Sequence, residues 1–268
     1  MSDETSEGGS DEKVLAAAVP GEWIAKGLLK PIISEIGDDL ARVYRMGIDK
    51  LVSRGEAKVP DLSDGRKPNL RVAMEVLLNG SFTEDEVCAE YFGGVLASSR
   101  SEGGEDDSSL SYVSAIRSMS SKQLRLHYLL YTELNRLMAQ SEGNPNVLQG
   151  TELHKWAIFL PSHELLAEGL NPGNEMPTLF RMGLVSEWAA DIVLGVGRDG
   201  EKVVPYVSMK PTSFGIQLFS AAHNRLSTMS RFSHESFGRF DGIEPLGVAG
   251  RSLEELTKLM LGEVETDT

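Results

Sequence analysis

The apolar residues of this chain change period once, and that change restricts the fold more than any other feature. Up to about Met182 they recur mainly at helical spacing. Beyond it come two β-branched runs, Ile192-Val193-Leu194-Gly195-Val196 and Val203-Val204-Pro205-Tyr206-Val207. Gly197-Arg198-Asp199-Gly200-Glu201-Lys202 joins them, and Asp-Gly between such runs predicts a hairpin near 191–208. Pro205 has no amide proton, which predicts an edge position for its strand. The expected fold is therefore mainly α with a small β-hairpin.

The helical part is read from its stripes and punctuation. A stripe from Ile24 to Leu51 predicts a long N-terminal helix, kinked or restarted at Pro31. Pro60, Asp64-Gly65 and Pro68 mark a loop. Leu70, Ala73, Met74 and Leu77 give a second helix, and Thr83 is read as the cap of a third that runs to about Ala97. A short helix from Ser111 to Met119 precedes one capped at Ser120-Ser121 that reaches about Gln140. Residues 154–169 read as helix interrupted near Pro161. Asn171-Pro172-Gly173-Asn174 reads as a loop before a short helix at 178–182. Thr212-Ser213 opens the helix from Phe214 to Ala222. Helix, turn, helix, ribbon and helix is the outline of a winged-helix-like α+β unit. The expected organisation is a disordered acidic tail (1–12), an N-terminal helical unit (13–98), a flexible acidic loop (99–109), the winged-helix-like unit (110–225) and an extension (226–268) with a helix near 252–261.

The net charge of −14 looks hostile to nucleic acid, but twelve of those charges sit in three segments: 1–12, 101–109 and 262–268. The rest is close to neutral, so bulk charge neither forbids nor supports nucleic-acid binding. Cys88 is the single cysteine, which excludes an intrachain disulfide framework and predicts a reducing, cytoplasmic setting. The first twelve residues lack the basic region of a signal peptide.

Chemical motifs are few. Gly195 to Gly200 matches GxGxxG, but dinucleotide binding needs a helix after it, and a strand-like run follows. His163-Glu164 and His234-Glu235 lack a second histidine one helical turn on, so neither chelates zinc from one face. There is no phosphate-binding GxxxxGK[ST] loop and no GxSxG elbow. Cys88 reads as a small buried hydrophobe. No catalytic, cofactor-binding or metal-ligating residue is assigned. The candidate contacts are cations on the winged-helix-like unit: Arg117, Lys122 and Arg125 around one turn, Arg198 and Lys202 on the hairpin. These could meet phosphates, although Asp199 and Glu201 interleave with the last two and favour a solvated surface. The Trp23–Leu51 region is amphipathic, but its polar face mixes acids with bases, which favours packing on protein over a membrane surface.

A set of short runs occurs in order along most of residues 15–222. It comprises Gly27-Leu28-Leu29-Lys30-Pro31, Glu35 to Leu40, Val59-Pro60 and Phe82 to Glu86. Then come Tyr91-Phe92-Gly93-Gly94-Val95-Leu96-Ala97-Ser98, Tyr112 to Ile116, Met119 to Gln123, Gly183-Leu184-Val185 and Lys210 to Phe219. In this order the chain resembles the Abi-alpha (abortive infection alpha) family of bacterial proteins of unknown biochemical function. Gln123 departs from the acid usual there, and the extension past 225 has no counterpart. The resemblance implies a role in bacterial phage defence and supplies no catalytic residues. The expected function is a non-enzymatic interaction protein of abortive infection, acting through protein partners or self-association. The alternatives are a nucleic-acid-binding regulator using the winged-helix-like unit, and a membrane-perturbing effector using the N-terminal helices.

Overall fold

The computed structural model describes residues 38–141, 146–197, 200–234 and 237–261. The expected acidic tail, the helix before Asp38 and Arg198 lie outside the described residues. Among the described residues, three helices form the N-terminal part: α1 (Asp38–Glu56), α2 (Leu70–Gly80) and α3 (Glu86–Ser98). Two-residue strands β1 (Lys67–Pro68) and β2 (Arg100–Ser101) pair antiparallel beside them. The expected 99–109 loop thus begins as a strand, and Arg100 donates to Asp64 at 2.6 Å. Next come α4 (Leu110–Arg117), α5 (Ser121–Gln140) and a one-turn α6 (Gly150–Leu153).

From there the order is β3 (Ile158–Pro161), α7 (Ser162–Ala167), α8 (Pro172–Arg181), β4 (Val185–Gly197) and β5 (Gly200–Pro211). Helix α9 (Ser213–Ala222), a 3₁₀ turn (Leu226–Arg231) and α10 (Leu253–Leu261) complete the described residues. The three strands form one antiparallel sheet in the order β3-β5-β4. A helix before the first strand, two helices between the first and second, and a hairpin whose last strand lies in the middle are the winged-helix arrangement. The fold is mainly helical with small antiparallel sheets, as expected.

The path differs from the sequence reading at several points. Residues 158–161 are a strand, where helix was expected, because Ile158 to Pro161 pair with Met209 to Tyr206. The helix-turn-helix is α7–α8, within the expected 110–225 unit and directly before the hairpin. Pro205 sits in the central strand. Strand β3 reaches only Tyr206, so β5 has no neighbour on that side at Pro205 and the missing N–H costs no ladder bond.

Helix α3 is the hub. It is apolar nearly all round, buried from Ala89 to Ala97, and packed by α1, α2, α4, α5 and α9. Its adjacent glycines serve two neighbours. A Cβ on Gly93 would lie 2.9 Å from the Gly55 nitrogen in α1. One on Gly94 would lie 1.9 Å from the Ala222 carbonyl oxygen in α9. The buried Glu90 is neutralised by Arg54 at 2.9 Å and by Lys58. An aromatic cluster joins the two parts of the chain: Tyr91 from α3, Tyr128 and Tyr131 from α5, and Phe219 from α9. The extension past 225 adds Phe232, Phe237 and Phe240, each nearly fully buried.

Candidate interaction face

The helix-turn-helix is built by local rules. Leu165 anchors α7, and Gly169 turns the chain with φ of +72°. Asn171 caps α8 by accepting from the Gly173 amide at 3.0 Å, and Pro172 takes the first helical position. An Asn cap followed by proline is a helix start, so residues 171–174, expected as a loop, begin α8. Met176 and Leu179 face the core. Gln123 of α5 donates to Thr178 at 3.2 Å and docks α8 against the start of α5.

What remains outward on α8 is Asn174, Pro177, Phe180 and Arg181. Helix α7 presents His163, Leu166 and Glu168. Phe180 is 51% exposed and Leu166 57%. Among the described residues of α7 and α8, Arg181 is the one Lys or Arg. Arg181 also lines an open groove of about 400 Å³ with Ser111, Ser114, Ser118, Met182 and Phe214. The face combines apolar side chains, one cation and an adjoining hydroxyl-lined groove, and it can hold apolar side chains and accept a hydrogen-bonding or acidic group beside them.

The four described cations among the five singled out from the sequence lie elsewhere. Arg117 pairs with Glu75 at 3.4 Å, and Arg125 with Asp85 at 2.6 Å. Lys122 is exposed in the first turn of α5. Lys202 pairs in register with Gly195, near the far end of the hairpin and roughly 30 Å along β4 from Val185 at strand rise. Arg198 lies outside the described residues. The GxGxxG segment is followed by strand β5, and Gly197 pairs with Gly200. The residues missed by the sequence reading are Pro177, Phe180 and Arg181. The signal that could have found them is the Asn171-Pro172 helix start, which puts all three on one helix.

Several titratable groups are buried in the core. His127 is fully buried, its Nδ1 2.7 Å from the Tyr91 hydroxyl, and burial pushes its imidazole down to about 3. Burial likewise holds His223 at about 3, with Nδ1 2.9 Å from the Phe219 carbonyl oxygen. Tyr131 is pushed up to about 12 by burial. Its hydroxyl donates to the Leu184 carbonyl at 2.5 Å and accepts from the Thr212 amide at 3.2 Å, tying the base of the hairpin. A Cβ on Gly215 would lie 1.8 Å from that hydroxyl oxygen. Burial raises the Cys88 thiol, so it is not activated as a nucleophile. Among the described residues, no group of three His, Cys, Asp or Glu is placed to hold a metal ion.

No family model, no curated protein and no solved structure matches this chain.

Proposed function

We propose that this chain is a non-enzymatic interaction protein of bacterial abortive infection, acting through protein contacts made by the α7–α8 face. The observation that carries the protein-contact reading is the composition of that face. Winged-helix units that read DNA insert the second helix into the major groove and hold the phosphates with cations. Here that helix carries Arg181 alone and presents Pro177 and Phe180 outward. Apolar and aromatic side chains beside a groove favour a protein partner. The defence setting rests on the ordered motifs that resemble the Abi-alpha family.

The test is phage plating with and without expression. Expression is expected to lower plaque counts, and a Leu166→Asp/Phe180→Asp variant with an unchanged circular dichroism spectrum is expected to lose the effect. Unchanged plaque counts on wild-type expression would refute the reading.

A nucleic-acid-binding regulator is the second reading, favoured by the winged-helix order of elements. A gel shift at low salt separates the two. No retardation is expected, and a band that weakens as salt rises would move the assignment to nucleic acid. For the membrane reading, Tyr44, Ile48, Leu51 and Val52 of α1 are buried against protein. Among the described residues no helix is long and apolar enough to cross a membrane.

A further inference from the structure

The chain after Phe240 returns to the winged-helix unit in an unusual way. Residues 241–247 form an irregular connector, exposed except at Ile243 and Leu246. Residues 247–252 then run along the outer edge of the sheet. Gly247 donates to Glu168, the C-cap of α7, at 2.8 Å, and Ala249 donates to Glu164 within α7 at 3.2 Å. The peptide groups of Gly250 are held from both sides by α5: its N–H donates to Glu133 at 2.9 Å, and its carbonyl accepts from Arg136. Glu133 and Arg136 are themselves paired at 2.9 Å. The clamp fits a glycine, since a Cβ there would lie 2.8 Å from the Glu133 Cβ. Arg251 then exchanges two backbone hydrogen bonds with Phe159, at 2.8 and 2.9 Å, on the free edge of β3. Ser252 and Glu255 cap α10 reciprocally, and α10 lies against β4 and β3.

Two features separate this segment from the part of the extension before it. Phe232, Phe237 and Phe240 are locked in the core by aromatic contacts, whereas residues 247–252 are held mainly by carboxylates and one guanidinium, with Val248 as their buried apolar anchor. Helix α10 has nine residues, too few to persist undocked. Among its described side chains Leu256 is the buried one, and Leu253 is exposed. The order of α10 therefore depends on its docking.

We propose that residues 247–261 are a strap that opens as one unit, latched at Gly250, and that it controls the α7–α8 face by holding Glu164 and Glu168. Its closed form covers the edge of β3 and fixes α7 from outside. Its release frees both carboxylates beside Leu166 and exposes the β3 edge. The controlling role rests on the docking reading above, but the opening of the strap does not.

Hydrogen exchange on the full chain tests it without any partner. In the wild type the amides of residues 250–256 are expected to exchange through a local opening, faster than those in the middle of α5. Arg136→Ala is expected to accelerate that segment about tenfold or more, and the amides of Gly169 and Leu170 with it, while α3 and α9 stay unchanged. Ser252→Ala, which removes the α10 cap, is expected to accelerate the Gly250 amide as well as those of α10. Two outcomes overturn the proposal: wild-type exchange of 250–256 at the rate of α5, or Ser252→Ala acting on α10 alone. Unchanged exchange at Gly169 and Leu170 when the strap opens defeats the controlling role. The plating result for the Leu166/Phe180 variant bears on the docking reading separately.

Discussion

At the scale of single residues, small side chains decide how closely the elements approach. Gly93 and Gly94 are neighbours in sequence but face different helices, roughly 100° apart around α3. The apolar run containing them is visible in the chain; which helices need the glycines is not, because that depends on α1 and α9 arriving from distant segments. Gly94→Val forces α9 away from α3 and is expected to destabilise the fold by about 3 kcal/mol or more, the upper range for overpacking. Urea unfolding measures it, and a midpoint equal to wild type would contradict the packing described. Gly215 plays the same part against Tyr131 at the base of the hairpin.

At the scale of elements, caps show where local reading works and where it slips. Ser120 and Gln123 form both halves of a capping box at the start of α5, matching the expected cap. The start of α3 is different. Thr83 was read as its cap, but Asp85 takes that role by accepting from the Cys88 amide at 2.9 Å, and it also receives Arg125. Both residue types cap helices, so sequence alone cannot choose between them; the placement of Arg125 from α5 favours Asp85. Asp85→Ala is therefore expected to cost about 1 kcal/mol, whereas Thr83→Ala leaves stability within about 0.5 kcal/mol. Thermal melts of the two variants distinguish the assignments. Strand β3 was missed for a related reason. Four apolar residues fit a buried helix as well as a strand, and only pairing with β5 decides.

At the scale of the whole molecule, buried groups couple stability to pH. His127 and His223 are neutral in the folded core at about 3, against 6.5 when free. Below pH 6.5 the unfolded chain takes up protons that the folded one refuses. The stability these groups contribute is complete above 6.5 and is lost as pH falls toward 3. Each contributes a slope approaching about 1.4 kcal/mol per pH unit within that window. Urea midpoints at pH 7, 5.5 and 4.5 are expected to fall in step, and His127→Phe is expected to flatten the fall. A midpoint independent of pH across that range would contradict the buried neutral state.

The sequence by itself determined the helical class, the hairpin and most helix limits among the described residues. Periodicity, turn residues and caps are local, and they are written within a few residues of where they act. Tertiary structure alone decided that residues 158–161 pair as a strand and that Phe180 and Arg181 share the outer face of α8. It also placed Pro205 just beyond the reach of β3, and brought Gly250 back between Glu133 and Arg136 from more than a hundred residues away. Those outcomes depend on which distant segments meet, and burial and backbone pairing settle that only once the whole core has closed.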